Sequence, residues 1–267
     1  MSVAPATPAG MPADLPYPAA PPYRCGEFGG GWTMKYKAAE TVERGYFTGL
    51  GAEPPGHYLE HDGYCWMSTS RLERESHAVH VARARGTVVV CGVGMGMYLY
   101  NVAARPEVER VVAIDRDPAV IAMIRGAGAG IDTWAGRDKL RFVQADALRL
   151  TPDDLRAATG GAAVDYLYVD IWPELCDPSA VSHMQAIQAV VGAAEVGWWG
   201  QEVDFVEWAF HRRPAGHVPG VDDLRDFIAE TGLWTGEPTA AYVAACRRAA
   251  AVYEERIPFT SLAAAAR

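Results

Sequence analysis

Thr87-Val88-Val89-Val90-Cys91-Gly92-Val93-Gly94-Met95-Gly96 is the stretch that decides the fold of this chain. Thr87–Cys91 is a short β-branched run that reads as a buried strand, and Met97–Ala104 suits a helix. Glycines between a strand and a helix let the backbone turn sharply and approach a ligand closely, beside the free N–H groups of a helix start. Downstream the alternation repeats. Val111–Ile114 is a second strand ending at Asp115, and Pro118–Arg125 is a helix with proline in its first turn. Leu140–Gln144 is a third strand ending at Ala145-Asp146, and Tyr166–Val169 a fourth ending at Asp170. Asp177-Pro178 opens a helix running to about Ala194. Apolar strands separated by helices predict a mostly parallel sheet covered on both faces, an α/β fold of Rossmann-like type.

Three strands thus end in an acid after the glycine loop. Asp115 lies nineteen residues beyond Gly96, where a carboxylate can accept both hydroxyls of a ribose. Asp146 is placed to meet an adenine amino group, and Asp170 faces the reacting centre, because open parallel sheets bind ligands at the carboxyl ends of their strands. Each acid alone reads equally well as a helix cap; three in succession do not. A dinucleotide site usually reads Gly-x-Gly-x-x-Gly, whereas here the third glycine comes one residue early. That spacing favours an adenosyl ligand without phosphates over a nicotinamide cofactor.

Upstream, residues 1–23 are rich in Ala and Pro and read as disordered or extended. Residues 24–84 are expected to form a small lid of hairpin and helices: a helix over Met34–Tyr46, a hairpin over Tyr58–Met67 turning at Asp62-Gly63, and a helix from Ser70 to about Ala84. Residues 85–267 form the ligand-binding domain with a helical end, in which Val196–Phe210 reads as strand, helix or both, Asp222–Glu230 and Pro238–Glu255 as helices, and no closing β-hairpin is evident.

A net charge of −9 argues against a duplex-binding or membrane-surface protein, and no apolar stretch is long enough to cross a bilayer. Five scattered cysteines form no disulfide or zinc pattern and read as reduced thiols in a cytoplasm. The pairs His57/His61 and His77/His80 lack partners that would complete a ligand set, so no metal is expected. Tyr64, Trp66, Trp172, Trp198, Trp199 and Trp208 supply aromatic faces that could hold a sulfonium or a cationic substrate. Glu195, Glu202, Asp204 and Glu207 cluster beside the last three, with Glu202 as the candidate clamp.

The chain resembles the class I S-adenosylmethionine-dependent methyltransferases, and within them the spermidine synthase-like branch. The likeness runs from about Tyr58 to Asp177: Leu59-Glu60-His61-Asp62-Gly63, the acidic helix Glu73–His77, Val88–Gly96, Val108–Asp117, Gln144-Ala145-Asp146-Ala147 and Asp165–Pro173. Methyltransferases typically carry an acid two residues before the first glycine; Val90 stands there, as in the spermidine synthase-like pattern. The resemblance implies that Gly92, Val93, Gly94 and Gly96 line the methionine part, that Asp115 binds ribose and that Asp146 and Ala147 hold adenine; Arg116 joins these candidate cofactor residues, and Asp170 is the candidate for positioning or deprotonating the nucleophile. Aminopropyl transferases show Asp-Ser-Ser-Asp-Pro after the fourth strand, whereas this chain reads Asp170-Ile171-Trp172-Pro173-Glu174 and lacks the second aspartate.

Methyl transfer to a small cationic or aromatic metabolite, with S-adenosylhomocysteine as product, is therefore the first expectation, with Tyr64, Trp66, Trp172 and Glu202 shaping the acceptor pocket. The alternatives are cleavage of the larger sulfonium arm with release of methylthioadenosine, and an adenosyl-binding protein without catalysis. The apolar N-terminal arm is compatible with a homodimer, although the sequence does not fix the oligomeric state.

Overall fold

Where a helix is expected over Met34–Tyr46, the chain forms strands. In the computed structural model, which describes residues 7–126 and 128–254, β1 (Gly26–Glu27) pairs antiparallel with β2 (Trp32–Lys37). Trp32 and Met34 are buried and Thr33 and Lys35 between and after them only half-buried, the period-two pattern of a strand, before the strand runs out to exposed Tyr36 and Lys37. After a break at residues 38–40, β3 (Thr41–Arg44) and β4 (Leu50–Glu53) make a separate two-stranded ribbon. The expected hairpin is β5 (Gly56–His61) and β6 (Tyr64–Ser68), with Asp62 and Gly63 at positive φ in the turn; β2 pairs with β5 to complete a four-stranded sheet. The helical run after Ser70 divides at His77 into α1 (Arg71–Ser76) and α2 (Ala78–Arg83), and Ser70 caps the first by accepting the Glu73 N–H.

The alternating part follows: β7 (Gly86–Cys91), α3 (Met97–Ala103), β8 (Val108–Asp115), α4 (Pro118–Arg125), β9 (Leu140–Gln144), α5 (Pro152–Thr159), β10 (Tyr166–Val169), α6 (Ala180–Val191) and β11 (Glu195–Trp198). All neighbouring strands of this sheet are parallel, in the order β11-β10-β7-β8-β9. This is a Rossmann-like arrangement: numbered from β7 the order is 3-2-1-4-5, and direction reverses between β7 and β10. Two buried clusters, one on each face, cover the strands, as near-continuous runs such as Val88–Cys91 require. The segment left open as strand, helix or both is both: β11, then α7 (Gln201–Arg212). α8 (Val221–Thr231) and α9 (Ala240–Glu254) pack on α7. No strand follows β11 among the described residues, and none of their helices is long and apolar enough to cross a membrane.

Residues 7–23, expected to be disordered or extended, are irregular and extended but tied to the body. Ala19 exchanges hydrogen bonds with Asn101 (2.8 Å each way), and Arg74 lies 4.1 Å over the Tyr17 ring while donating to the Pro18 carbonyl at 2.7 Å. A segment of small Ala and Pro side chains, which cannot by itself bury enough surface to offset its ordering entropy, is ordered here by a surface already built. The first six residues and those after 254 lie outside the described residues.

Candidate functional site

The reversal between β7 and β10 opens a crevice at the carboxyl ends of both strands, and the glycine loop fills its floor. Gly92 has φ 91°, and a Cβ there would run into the backbone carbonyl of Asp170, so no other residue lets β7 and β10 end side by side. Gly94, at φ 49°, faces the Met67 sulfur, which accepts the Met95 N–H at 3.4 Å. The N-terminal sheet thereby lies over the loop. Trp32 adds a second tie, donating from Nε1 to Asp117 Oδ2 at 2.7 Å, and its ring packs on His61 and on the edge of Trp66. Between the two layers is a cavity of about 280 Å³.

Most of the expected ligand residues line this cavity: Gly92, Gly94, Asp115, Arg116, Asp146, Ala147 and Asp170, with Trp66 and Trp172. Asp115 accepts backbone N–H groups on both oxygens, from Val93 at 2.8 Å and Asp117 at 2.9 Å, which fixes its plane at the cavity wall. Burial pushes its carboxyl up and those N–H groups pull it back. Asp146 takes the capping role as well: it accepts the Leu148 N–H at 3.0 Å at the start of a short 3-10 turn, Ala147–Arg149.

Four expected residues lie elsewhere. Val93 is a core side chain whose N–H is committed to Asp115, and Gly96, at φ 74°, packs against Ile124 and Trp134 on the far side of the loop. Tyr64 is half exposed at the hairpin tip, touching Trp66 only by its edge. Glu202 is wholly buried behind the sheet, where it accepts the hydroxyls of Tyr46 (3.0 Å) and Tyr242 (3.2 Å) and lies 3.7 Å from His80. The expected acidic clamp disperses with it: Glu195 pairs with Arg83 and Arg85, and Asp204 accepts from Trp198. Of the three tryptophans beside that clamp, Trp199 alone lines the cavity, its Nε1 bonded to Ser76.

The reacting end of the cavity is built by residues far apart in the chain. One oxygen each from Glu73 and Asp170 and one nitrogen of His77 lie within 4.8 Å of one another. Glu73 and His77 sit one helical turn apart, so α1 brings both to the same side, against the end of β10. Burial and the neighbouring Asp170 raise the Glu73 carboxyl well above the usual range, and burial pushes Asp170 up to about 7. No ion pair or hydrogen bond from a described residue reaches either side chain. Burial holds His77 neutral, its titration lowered to about 3. His77 Nδ1 lies 2.9 Å from the Tyr168 hydroxyl, and its buried Nε2 has no partner among the described residues. With the proton on Nδ1, donated to Tyr168, Nε2 turns a lone pair outward and the cluster consists of acceptors alone. Such a set can hold a cation, either an ammonium or a divalent metal ion, a possibility the sequence did not suggest. The only signal for it is the Glu73/His77 spacing; of the other lining residues Trp199 belongs to the aromatic set the sequence offers, whereas Trp32, Met67 and His183 carry no signal.

No known protein family matches the chain, and no curated protein does. Among solved structures, a spermidine synthase from Thermotoga maritima is similar at 14% identity and TM-score 0.35, over 61% of this chain and 60% of that one. A spermidine synthase in complex with the transition-state analogue AdoDATO is similar at 14% identity and TM-score 0.34, over 60% and 59%. The chain thus spans about three fifths of the length of these structures, and the likeness is one of fold.

Proposed function

We propose that the protein is an adenosyl-sulfonium-dependent transferase that alkylates a primary amine. The observation that carries this reading is the cluster Glu73–His77–Asp170, whose two carboxyls line the same cavity as the glycine loop and Asp115. Glu73 is buried and Asp170 half-buried, and without a cation both carboxyls are shifted toward the protonated form; an ammonium supplies the missing charge and offers three N–H groups to three acceptors. An ammonium whose hydrogen bonds are about 2.8 Å long sets its acceptors about 4.6 Å apart. Ribose hydroxyls would bond Asp115, and the base would lie along Asp146–Leu148.

In the reaction, Asp170 takes the proton that frees the nitrogen lone pair; a carboxyl titrating near 7 is matched to that task at neutral pH. The nitrogen attacks the sulfonium carbon in line, a C–N bond forms, and the C–S pair leaves with the neutral thioether nucleoside. The enzyme contributes alignment and exclusion of water. Transfer of the larger arm fits the cavity better than methyl transfer. A donor carboxylate would lie beside Glu73 and Asp170, and Arg116, the sole Lys or Arg among the described lining residues, follows Asp115 at the ribose end. Methyl transfer is favoured by Ile171-Trp172, which stand where aminopropyl transferases carry further polar residues.

The test is incubation with S-adenosylmethionine or its decarboxylated form, with and without a panel of primary amines, reading nucleosides by mass spectrometry. Methylthioadenosine appearing only with an amine is the expected result, and S-adenosylhomocysteine would assign methyl transfer instead. Nucleoside binding without turnover on any amine would leave an adenosyl-binding protein. Tight binding of Mn²⁺ or Zn²⁺, lost in Glu73→Gln, would give the cluster to a metal and overturn the ammonium.

A further inference from the structure

Trp172 and His183 meet in an unusual way. Trp172 Nε1 donates to His183 Nδ1 at 3.1 Å, the two ring planes differ by 7°, and the centroids are 6.3 Å apart. Rings whose edge nitrogens are so close while their centroids are so distant lie edge to edge in one plane. They form a single flat surface two rings wide, and both residues line the cavity.

Further bonds fix this surface. Ser179 Oγ, 3.3 Å from His183 Nδ1, gives its own proton to Asp177, whose carboxyl that donation lowers. Ser179 therefore cannot donate to the imidazole, and an indole N–H can only donate. Nδ1 is an acceptor, so in the neutral ring the proton sits on Nε2. Position supports a role. α6, which carries His183, packs on the turn Ala147–Arg149, and Trp172 shares a core cluster with Ala147. Trp32 and Trp199 belong to the cluster on the opposite face, with Trp66 packed against it. The flat pair thus stands at the Asp146–Leu148 end of the cavity, away from the N-terminal sheet.

We infer that the coplanar Trp172–His183 pair is the platform on which the purine base of the nucleoside lies, with His183 supplying its second ring. This rests on the adenosyl reading proposed above. A purine is a planar two-ring system, and aromatic faces bind bases by stacking; the Trp172–His183 bond holds the second ring in the plane of the first before the ligand arrives.

Calorimetric titration of methylthioadenosine and S-adenosylhomocysteine into the wild-type chain and into His183→Ala, His183→Phe and Trp172→Phe tests the platform, with 1,3-diaminopropane as the acceptor-side control. His183→Ala should weaken both nucleosides about tenfold, and Trp172→Phe, which removes the N–H that orients His183, should weaken them severalfold. His183→Phe restores a flat ring and should recover most of the affinity, while diaminopropane binding stays within twofold throughout. Equal nucleoside affinity in the wild type and His183→Ala, with unchanged melting temperatures, would overturn the platform alone. A wild-type chain that binds neither nucleoside would overturn the adenosyl reading together with it.

Discussion

Two buried clusters in this molecule are made from the same parts. His77 and His80, three residues apart, each place Nδ1 2.9 Å from a tyrosine hydroxyl on β10, His77 at Tyr168 and His80 at Tyr166. Each stands near a glutamate, Glu73 for the first and Glu202 for the second, and burial lowers both imidazoles. They differ in what the carboxyls receive. Glu202 accepts two tyrosine hydroxyls and is sealed among α2, α7 and α9. Glu73 and Asp170 accept nothing from the described residues and border the cavity. Nε2 lacks a hydrogen-bond partner among the described residues in both histidines, so the carboxyls make the difference: the same residue types hold a core together where the carboxylate is filled, and offer a binding site where it is open.

The strongest way to break this comparison is at Asp170. Asp170→Asn should reduce turnover by roughly 10²–10⁴-fold, the usual contribution of a general base, while nucleoside affinity measured by calorimetry stays within threefold. Full turnover would remove Asp170 from the chemistry. Glu202→Ala should act on stability instead, costing about 3 kcal/mol in urea unfolding because two buried hydroxyls lose their acceptor, with the acceptor KM unchanged. A shift in KM without loss of stability would return Glu202 to the site.

The pH dependence sharpens the contrast more mildly. Asp170 titrates near 7 in the folded chain, against an ordinary value of 3.8. The folded state therefore holds a proton that the unfolded state has released, and this contribution to stability is complete below about pH 4 and lost as pH rises through 7. Unfolding free energy measured between pH 4 and 8 should fall along that range. In Asp170→Asn it should fall less, but not become flat, because Asp204 is also pushed up to about 7 by burial. The rate at low substrate should rise through the same pH, since the ionised carboxylate is the base. The smallest effect is expected at Tyr64: Tyr64→Ala should leave kcat/KM within twofold, since its side chain lies at the exposed hairpin tip outside the cavity.

Much of the fold was legible. Leu140–Gln144, Tyr166–Val169 and Pro118–Arg125 form with the expected boundaries, because buried strands and a proline-started helix are set by local pattern. Over Met34–Tyr46, Ala38, Ala39 and Val42 suggest a helical stripe, whereas alternation over Trp32–Lys37 and pairing with β5 and β4 decide for strands. In the site, the glycines and strand-end acids were visible because each is tied to one backbone position. Glu202 was misplaced: an acid beside tryptophans reads alike whether it faces a cavity or two tyrosines arriving from Tyr46 and Tyr242.

The sequence by itself determined the alternation of strand and helix from β7 to β9, the glycine turn at Gly92 and the acids at the carboxyl ends of β8 and β10. These follow from periodicity and from the steric needs of single residues. Only the tertiary structure decided that Glu73 and His77 meet Asp170, that Trp172 and His183 share a plane, and that the N-terminal sheet covers the glycine loop. Those arrangements depend on packing between segments distant along the chain, and local sequence carries no record of which side chain will find a partner and which will be left facing the cavity.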